Sequence, residues 1–305
     1  MTKAGPPSPD PSAIQVIPKP PFVRLPDPEE LFARRAARFR ALAPGHDLGA
    51  YLLFLAGISD VQARIQDGLP APEPLDADQM ERATRHAMPP LDRAGFVPGD
   101  EVDELLDRLV AAAAELEMPP EASAALANIA GADRGERTGM VAGVLADAIP
   151  FEAVAEHGFV AAAMQVHFAR LAAILDPGSL KPVGDGVCPA CGGAPSASLI
   201  VGWTKPEGTR FCSCSLCGTL WNYIRAKCCL CGATKDISLR EIAGGDGGIK
   251  AEVCGSCRGY VKVLYQQKKP ELDPIADDVA SLGLDLLMRE AGFRRGAVNP
   301  FLTGY

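Results

Sequence analysis

The sequence predicts an α+β chain: an N-terminal all-α helical domain, two tandem four-cysteine ribbon units and a C-terminal helix. Three observations predict it. Apolar residues recur at helical spacing between punctuating prolines and glycines from residue 27 to residue 176. All ten cysteines of the 305 residues fall between Cys188 and Cys257, and eight of them form four CxxC pairs. Between those pairs the residues alternate as strands do.

Residues 1–26 are rich in proline and lack a charged segment followed by an apolar run. They read as a disordered or extended tail and not as a signal peptide. The helical domain is expected over 27–176. Asp27 caps its first helix, Pro28 suits the first turn and Glu30 holds the capping-box position. Leu31, Phe32, Ala36, Phe39 and Leu42 then form an apolar stripe, with Arg34, Arg35, Arg38 and Arg40 largely off it. Pro44-Gly45 ends this helix. Asp47 is expected to cap a second helix through Tyr51, Leu52, Phe54, Leu55, Ile58, Val61 and Ile65. Further helices are expected near 100–117, 120–131, 138–147 and 151–175, divided by Pro119-Pro120, Gly131 and Pro150. The reading is a bundle of five to seven helices, with Pro89-Pro90 in a long irregular connection. Residues 177–187 are expected to be a linker.

The CxxC pairs are Cys188/Cys191, Cys214/Cys217, Cys228/Cys231 and Cys254/Cys257. Adding 40 to each number of the first two pairs gives the last two, so one unit is duplicated, over 188–225 and 226–265. Two CxxC turns brought together supply four sulfurs in a tetrahedron, which suits zinc or a single iron. Disulfides fit poorly with a long, core-rich chain, thioredoxin chemistry uses one CxxC, and the common ferredoxin spacings are absent. Two mononuclear metal sites remain, ligated by Cys188, Cys191, Cys214 and Cys217 and by Cys228, Cys231, Cys254 and Cys257. Pairing Cys188/Cys191 with Cys228/Cys231 is the alternative, although the repeat argues for consecutive sites. Glycine follows the second cysteine in three pairs (Gly192, Gly218 and Gly232), where positive φ is needed; the fourth has Arg258. Cys212 and Cys229 break the repeat, their counterparts being Glu252 and Pro189. They read as small buried side chains, with an exchangeable or redox-active ligand as the sharper alternative.

Residues 198–203 and 210–213 are expected to form a hairpin carrying the first site, with 218–223 as a third strand. Residues 237–240 and 249–253 repeat the hairpin around the turn Gly244-Gly245-Asp246-Gly247-Gly248. That glycine run lacks the GxxxxGK[ST] pattern of a phosphate loop. Trp203, Trp221 and Tyr223 suit either base stacking or the small core of a ribbon. The segment 266–305 holds a polar stretch and a last helix opened by Asp273-Pro274, with Ile275, Val279, Leu282, Leu286 and Leu287 as its stripe. Asp277 and Asp278 would sit in its first turn, where the helix dipole favours acids, or form a surface for a partner.

Charge narrows the function. The chain carries −8 with pI about 5.1. From Cys188 to Tyr265 nine Lys/Arg face five Asp/Glu, and two divalent ions with eight thiolates cancel that excess of four. A nucleic-acid-binding ribbon would keep a basic residue of charge, so that reading is the weakest. No apolar run of membrane-spanning length occurs, and reduced cysteines without a leader place the chain in the cytoplasm. His46, His86, His157 and His167 lie outside the cysteine segment and form no catalytic pattern. Nucleophile, dinucleotide and paired-carboxylate signatures are missing too, so no catalytic residue is assigned and the chain reads as a non-enzyme.

Six segments stand out together: Cys188-Pro189-Ala190-Cys191-Gly192-Gly193, Cys214 to Trp221, Arg225 to Cys231, Cys254 to Lys262, Ala276-Asp277-Asp278-Val279-Ala280-Ser281-Leu282 and Asn299-Pro300-Phe301-Leu302. In these the chain resembles the formate dehydrogenase accessory protein FdhE family. The likeness extends less sharply to Gly45-His46 and Tyr51-Leu52. The resemblance implies a helical domain followed by two rubredoxin-like, zinc-ribbon-like units that hold iron or zinc. It also implies a cytoplasmic, chaperone-like maturation factor that contacts the catalytic subunit of a molybdenum- or tungsten-dependent formate dehydrogenase. An iron-based redox role on the same client is the alternative.

Overall fold

Helix α1 (Pro28–Leu42) begins where the Asp27 carboxylate accepts from the Glu29 N–H, with Pro28 in its first turn. It follows a short strand, β1 (Val23–Arg24), and both belong to a computed structural model that describes residues 18–302. Residues 1–17 of the expected tail lie outside the described residues, and Val23–Arg24 of it form β1. The Val23 side chain is buried, and β1 pairs with the strand carrying Trp221. Two residues are too few to show a strand pattern.

Helix α2 (Gly49–Arg64) has no side-chain cap, so Asp47 does not cap it. His46 does the related work. Its Nδ1 accepts from the Leu48 N–H at 3.0 Å, and its Nε2 lies 2.9 Å from the Ala280 carbonyl far along the chain. Helix α3 (Ala77–His86) was not expected; it buries only Ala83 and therefore shows no apolar stripe, although Asp76 caps it. Helices α4 (Asp100–Ala113) and α5 (Pro120–Gly131) start at the expected residues. Helix α6 (Arg134–Leu145) starts four residues early, because Asp133 and Glu136 close a capping box. Helix α7 (Val154–Ala173) packs against α1, α2, α4, α5 and α6 and buries twelve of its residues, so it forms the centre of the bundle. Arg35 is a correction to the stripe of α1. It is buried, and its guanidinium donates to Gln165 of α7 at 3.1 Å.

His167 packs against Phe96, with ring centroids 5.2 Å apart, and burial lowers its pKa to about 4. The unfolded value is about 6.5, so the folded state refuses a proton that the unfolded chain accepts. The resulting stability is complete above pH ~6.5 and is lost as pH falls towards 4, on the order of 2–3 kcal/mol. Urea titrations at pH 7 and pH 5 check this: His167→Phe should flatten much of the acid-side loss, and an unchanged slope would refute the assignment.

The β region comprises β2 (Pro195–Val201), β3 (Thr209–Cys214), β4 (Leu220–Asn222), β5 (Ile237–Arg240), β6 (Ile249–Cys254), β7 (Gly259–Leu264) and β8 (Arg294–Arg295). Each unit is a three-stranded antiparallel meander. The two units fuse edge to edge. Strands β2 and β7 pair in parallel, Ala197 opposite Lys262, giving one sheet of order β1-β4-β3-β2-β7-β6-β5 with β8 also on β7. The positions that break the 40-residue repeat sit at this junction. Buried Arg210 bridges Ser198, Lys227 O and Glu252, and the buried thiols of Cys212 and Cys229 lie beside it. The duplicated units thus differ where they meet each other.

The expected last helix is two: α8 (Ala276–Ala280) and α9 (Leu282–Glu290), broken at Ser281. Ser281 Oγ and Lys262 Nζ both donate to the carbonyls of this turn, which withdraws them from a continuous helix. The break rotates the stripe. Leu284 and Met288 are buried, whereas Leu286 and Leu287 are exposed. Asp277 and Asp278 lie in the first turn of α8 as expected, but both are buried, so they form no partner surface. Asp277 receives a bidentate pair from Arg38 of α1, at 2.6 and 2.8 Å. Asp278 meets Lys262, Arg295 and Asn299.

Candidate metal centres

Each cysteine set converges on one point. The sulfurs of Cys188, Cys191, Cys214 and Cys217 lie within 4.8 Å of one another, and so do those of Cys228, Cys231, Cys254 and Cys257. The consecutive grouping is the one observed, and the cross-paired alternative is not. Sulfur–sulfur distances across the knuckles are 3.4 and 3.7 Å in the first set and 3.8 and 4.0 Å in the second. Metal–sulfur bonds of about 2.3 Å in a tetrahedron give an edge of roughly 3.8 Å, so the donor set fits a tetrahedral ion without rearrangement.

The local fold explains the convergence. In each knuckle the first cysteine carbonyl accepts from the N–H four residues on, as in Gly192 to Cys188 at 2.9 Å and Arg258 to Cys254 at 2.9 Å. That closure requires positive φ, which Gly192 adopts at 83° and Arg258 at 58°. Arginine is held in this left-handed conformation by outside contacts. Its guanidinium stacks on Phe293 at 4.3 Å and donates to Gly292 O at 2.9 Å.

The two centres sit in different surroundings. All four sulfurs of the first are buried, whereas Cys231 is exposed and Cys257 half-buried in the second. The helical domain closes over the first. A Cβ on Gly192 would stand 3.3 Å from Pro89, and one on Gly218 would stand 3.0 Å from Leu31. Backbone bonds add to this, from Leu91 N–H to Ala190 O and from Arg93 N–H to Cys191 O. The Thr219 hydroxyl lies 3.2 Å from Cys217 Sγ, where the second unit has Gly259.

Arg93 had no signal in the sequence. Its guanidinium donates to Leu145 O at 2.6 Å, pairs with Asp147 at 3.0 Å and flanks the Cys191 and Cys214 sulfurs. Burial lowers its pKa, but Asp147 and the two sulfurs more than offset this, so it stays a firm cation beside the site. Four thiolates around a divalent ion carry −2, and Arg93 is a compensating charge beside them. Within the sulfur cluster burial pushes the Cys188 thiol up, while hydrogen bonds from Cys188, Cys191 and Cys217 hold Cys214 well down. In the second cluster burial raises Cys254, but the backbone N–H groups of Cys257 and Ser256 and the neighbouring thiols bring it to about 7.

The motifs that flank the cysteine pairs contact one another inside the fold. Lys262, Asp278 and Asn299 come from three separate motifs and meet in one buried cluster. Tyr51 donates to Phe301 O at 2.8 Å. Family models for the FdhE N-terminal, central and C-terminal domains match residues 20–185, 187–225 and 226–302. The chain belongs to the FdhE family. A Protein FdhE homolog from Rhizobium meliloti (strain 1021) is 49% identical over 303 residues, covering 99% of each chain. Protein FdhE from Salmonella paratyphi B is 33% identical over 92% of this chain and 90% of its own. The crystal structure of the FdhE protein from Pseudomonas aeruginosa superposes with a TM-score of 0.83 at 33% identity, covering 93% of this chain and 99% of that one. FdhE membership and the helical-then-ribbon architecture thus agree with the sequence reading. Among the described residues no helix is long and apolar enough to cross a membrane.

Burial sets the order of metal release. With metal bound at both centres, a chromophoric chelator should strip the second in a fast phase through Cys231 and the first in a slow one. Cys231→Ser should remove the fast phase alone. One uniform phase from the unaltered chain would contradict the asymmetry.

Proposed function

We propose that this chain is a cytoplasmic, non-catalytic accessory factor in the maturation of formate dehydrogenase, docking to the unfinished catalytic subunit. What supports the reading is FdhE membership across nearly the whole chain, joined to the chemistry of the two cysteine sets. Eight thiolates, from Cys188, Cys191, Cys214 and Cys217 and from Cys228, Cys231, Cys254 and Cys257, would hold two mononuclear ions. A centre closed by four sulfurs leaves no coordination position for substrate, so each serves as a brace for the surface around it. The first joins the sheet to the helical domain and the second fixes the far knuckles.

The test is complementation. A strain lacking its own FdhE should regain formate-dependent dye reduction when it carries this chain, and the chain should co-purify with the client's catalytic subunit. Full formate dehydrogenase activity in the deletion strain would overturn the reading.

A redox role for iron rests on one observation, the exposure of Cys231, which brings the second centre within reach of an electron partner. A zinc-only form that restores the client fully would eliminate it.

A further inference from the structure

Neither metal centre uses a wide apolar groove in the helical domain. It is lined by α2, the α4–α5 connection and the start of α7, with Pro300 and Phe301 also on its wall. Its volume is about 1290 Å³, beyond the roughly 300–1,000 Å³ of small-molecule sites. Its walls are apolar, and Leu53 and Phe151 stand 55% and 78% exposed. Large side chains at that exposure, gathered on one concave face, mark an interaction site.

The charge around the groove is one-sided. Glu117, Glu121 and Glu152 are exposed members of the lining, which includes no Lys, Arg or His. Among the described residues none of the three carboxylates makes an ion pair, although eighteen ion pairs occur elsewhere, many of them on the surface. An apolar trough with three uncompensated acids is complementary to apolar side chains flanked by cations. It repels anionic lipid headgroups and nucleic-acid phosphates.

We propose that this groove docks a basic amphipathic helix of a partner polypeptide, with its apolar face against Leu53, Phe54 and Phe151 and its Lys or Arg side chains against Glu117, Glu121 and Glu152. Helix-in-groove recognition of this kind reads anchors at positions i, i+3, i+4 and i+7. The inference deepens the accessory-protein reading, on which the identity of the helix's owner as the client rests. Gly158 of α7 offers a clean block. A Cβ there meets nothing within 4 Å, and its place in a helix tolerates a side chain, so Gly158→Leu projects an apolar side chain into the groove.

The experiment titrates full-length protein against a fluorescein-labelled peptide of about sixteen residues, four helical turns, with Leu at helical spacing and Lys on both borders. A twin peptide carries Glu for each Lys. The Lys peptide should bind, and the Glu twin should bind at least about tenfold more weakly, because exposed charge pairs are each worth roughly two- to fivefold. The triple variant Glu117→Gln, Glu121→Gln, Glu152→Gln should lose a similar factor, and Gly158→Leu should abolish binding. Equal binding of both peptides, or binding indifferent to Gly158→Leu, would overturn the proposal. So would a concentration-dependent dimer that Leu53→Glu disperses, since the groove would then belong to a second copy. Client activity restored in full by the Gly158→Leu chain would sink the groove's role and leave the accessory reading intact. A deletion strain with normal formate dehydrogenase activity would do the reverse.

Discussion

Serine at Cys188 should collapse the junction between the two halves of the chain, whereas serine at Cys231 should leave that junction standing. Structural four-ligand zinc sites contribute on the order of 10–16 kcal/mol in small peptides, which rivals the roughly 5–15 kcal/mol that holds a typical domain folded. How much of the molecule feels such a loss depends on what packs around the site. Pro89, Leu31 and the backbone of Leu91 and Arg93 rest directly on the first pair of knuckles. Losing that centre through Cys188→Ser also leaves three buried sulfurs, with Arg93 beside them, short of their metal. The second centre has an exposed sulfur, and its knuckles lean on Arg258, Phe293 and Asp185 instead of the helical bundle. Circular dichroism melts should therefore show Cys188→Ser losing the cooperative transition of the whole chain. Cys231→Ser should keep the helical transition and drop one metal equivalent. The opposite order of damage would contradict the packing.

Asp278→Ala should destabilise the chain by about 3–5 kcal/mol, the usual cost of orphaning buried charge. Burial alone would push the Asp278 carboxyl up, but Arg295 and Lys262 outweigh it and hold the group below the usual carboxylate range. Lys262 Nζ lies 3.1 Å from Asp278 Oδ1, and both side chains are fully buried. Asn299 donates to the same carboxylate at 2.8 Å, and Arg295 pairs with Asp285 at 2.7 Å. Removing Asp278 leaves Lys262 and Arg295 sharing Asp285 alone, and Asn299 without its carboxylate partner. The exposed pair of Lys269 with Asp246 supplies the contrast: Asp246→Asn should cost less than about 1 kcal/mol. Urea unfolding of both variants separates the cases, and equal costs would refute the cluster's role. Because a depressed carboxyl stabilises the fold above its unfolded pKa, the Asp278 contribution should fade as pH drops below about 4.

The cysteine array was fully legible, because ligand spacing is local: two residues within a knuckle and one hairpin between knuckles. The α1 start was legible for the same reason, since Asp27 and Pro28 act on their own turn. What the sequence hid was long-range. Nothing near Arg93 announces a cation beside sulfurs that follow much later, and nothing in Ala276 to Leu282 says that its acids face Lys262 and Arg38. Helix α3 was missed because a helix that buries a single alanine carries no apolar period. The parallel pairing of β2 with β7 was hidden because both strands are buried throughout, and burial on both faces erases the alternation that marks an edge. The family resemblance pointed to Asp277, Asp278 and Asn299, but only the fold shows them to be internal struts.

Metal content with a visible spectrum, taken on full-length protein purified without oxygen, tests the two-centre account most directly. Two equivalents of zinc or iron per chain are expected, falling to one in Cys231→Ser. A thiolate-to-iron band would keep the redox reading open, and two colourless equivalents would leave a structural adaptor. A metal-free protein with the same helical content and melting behaviour would contradict the account.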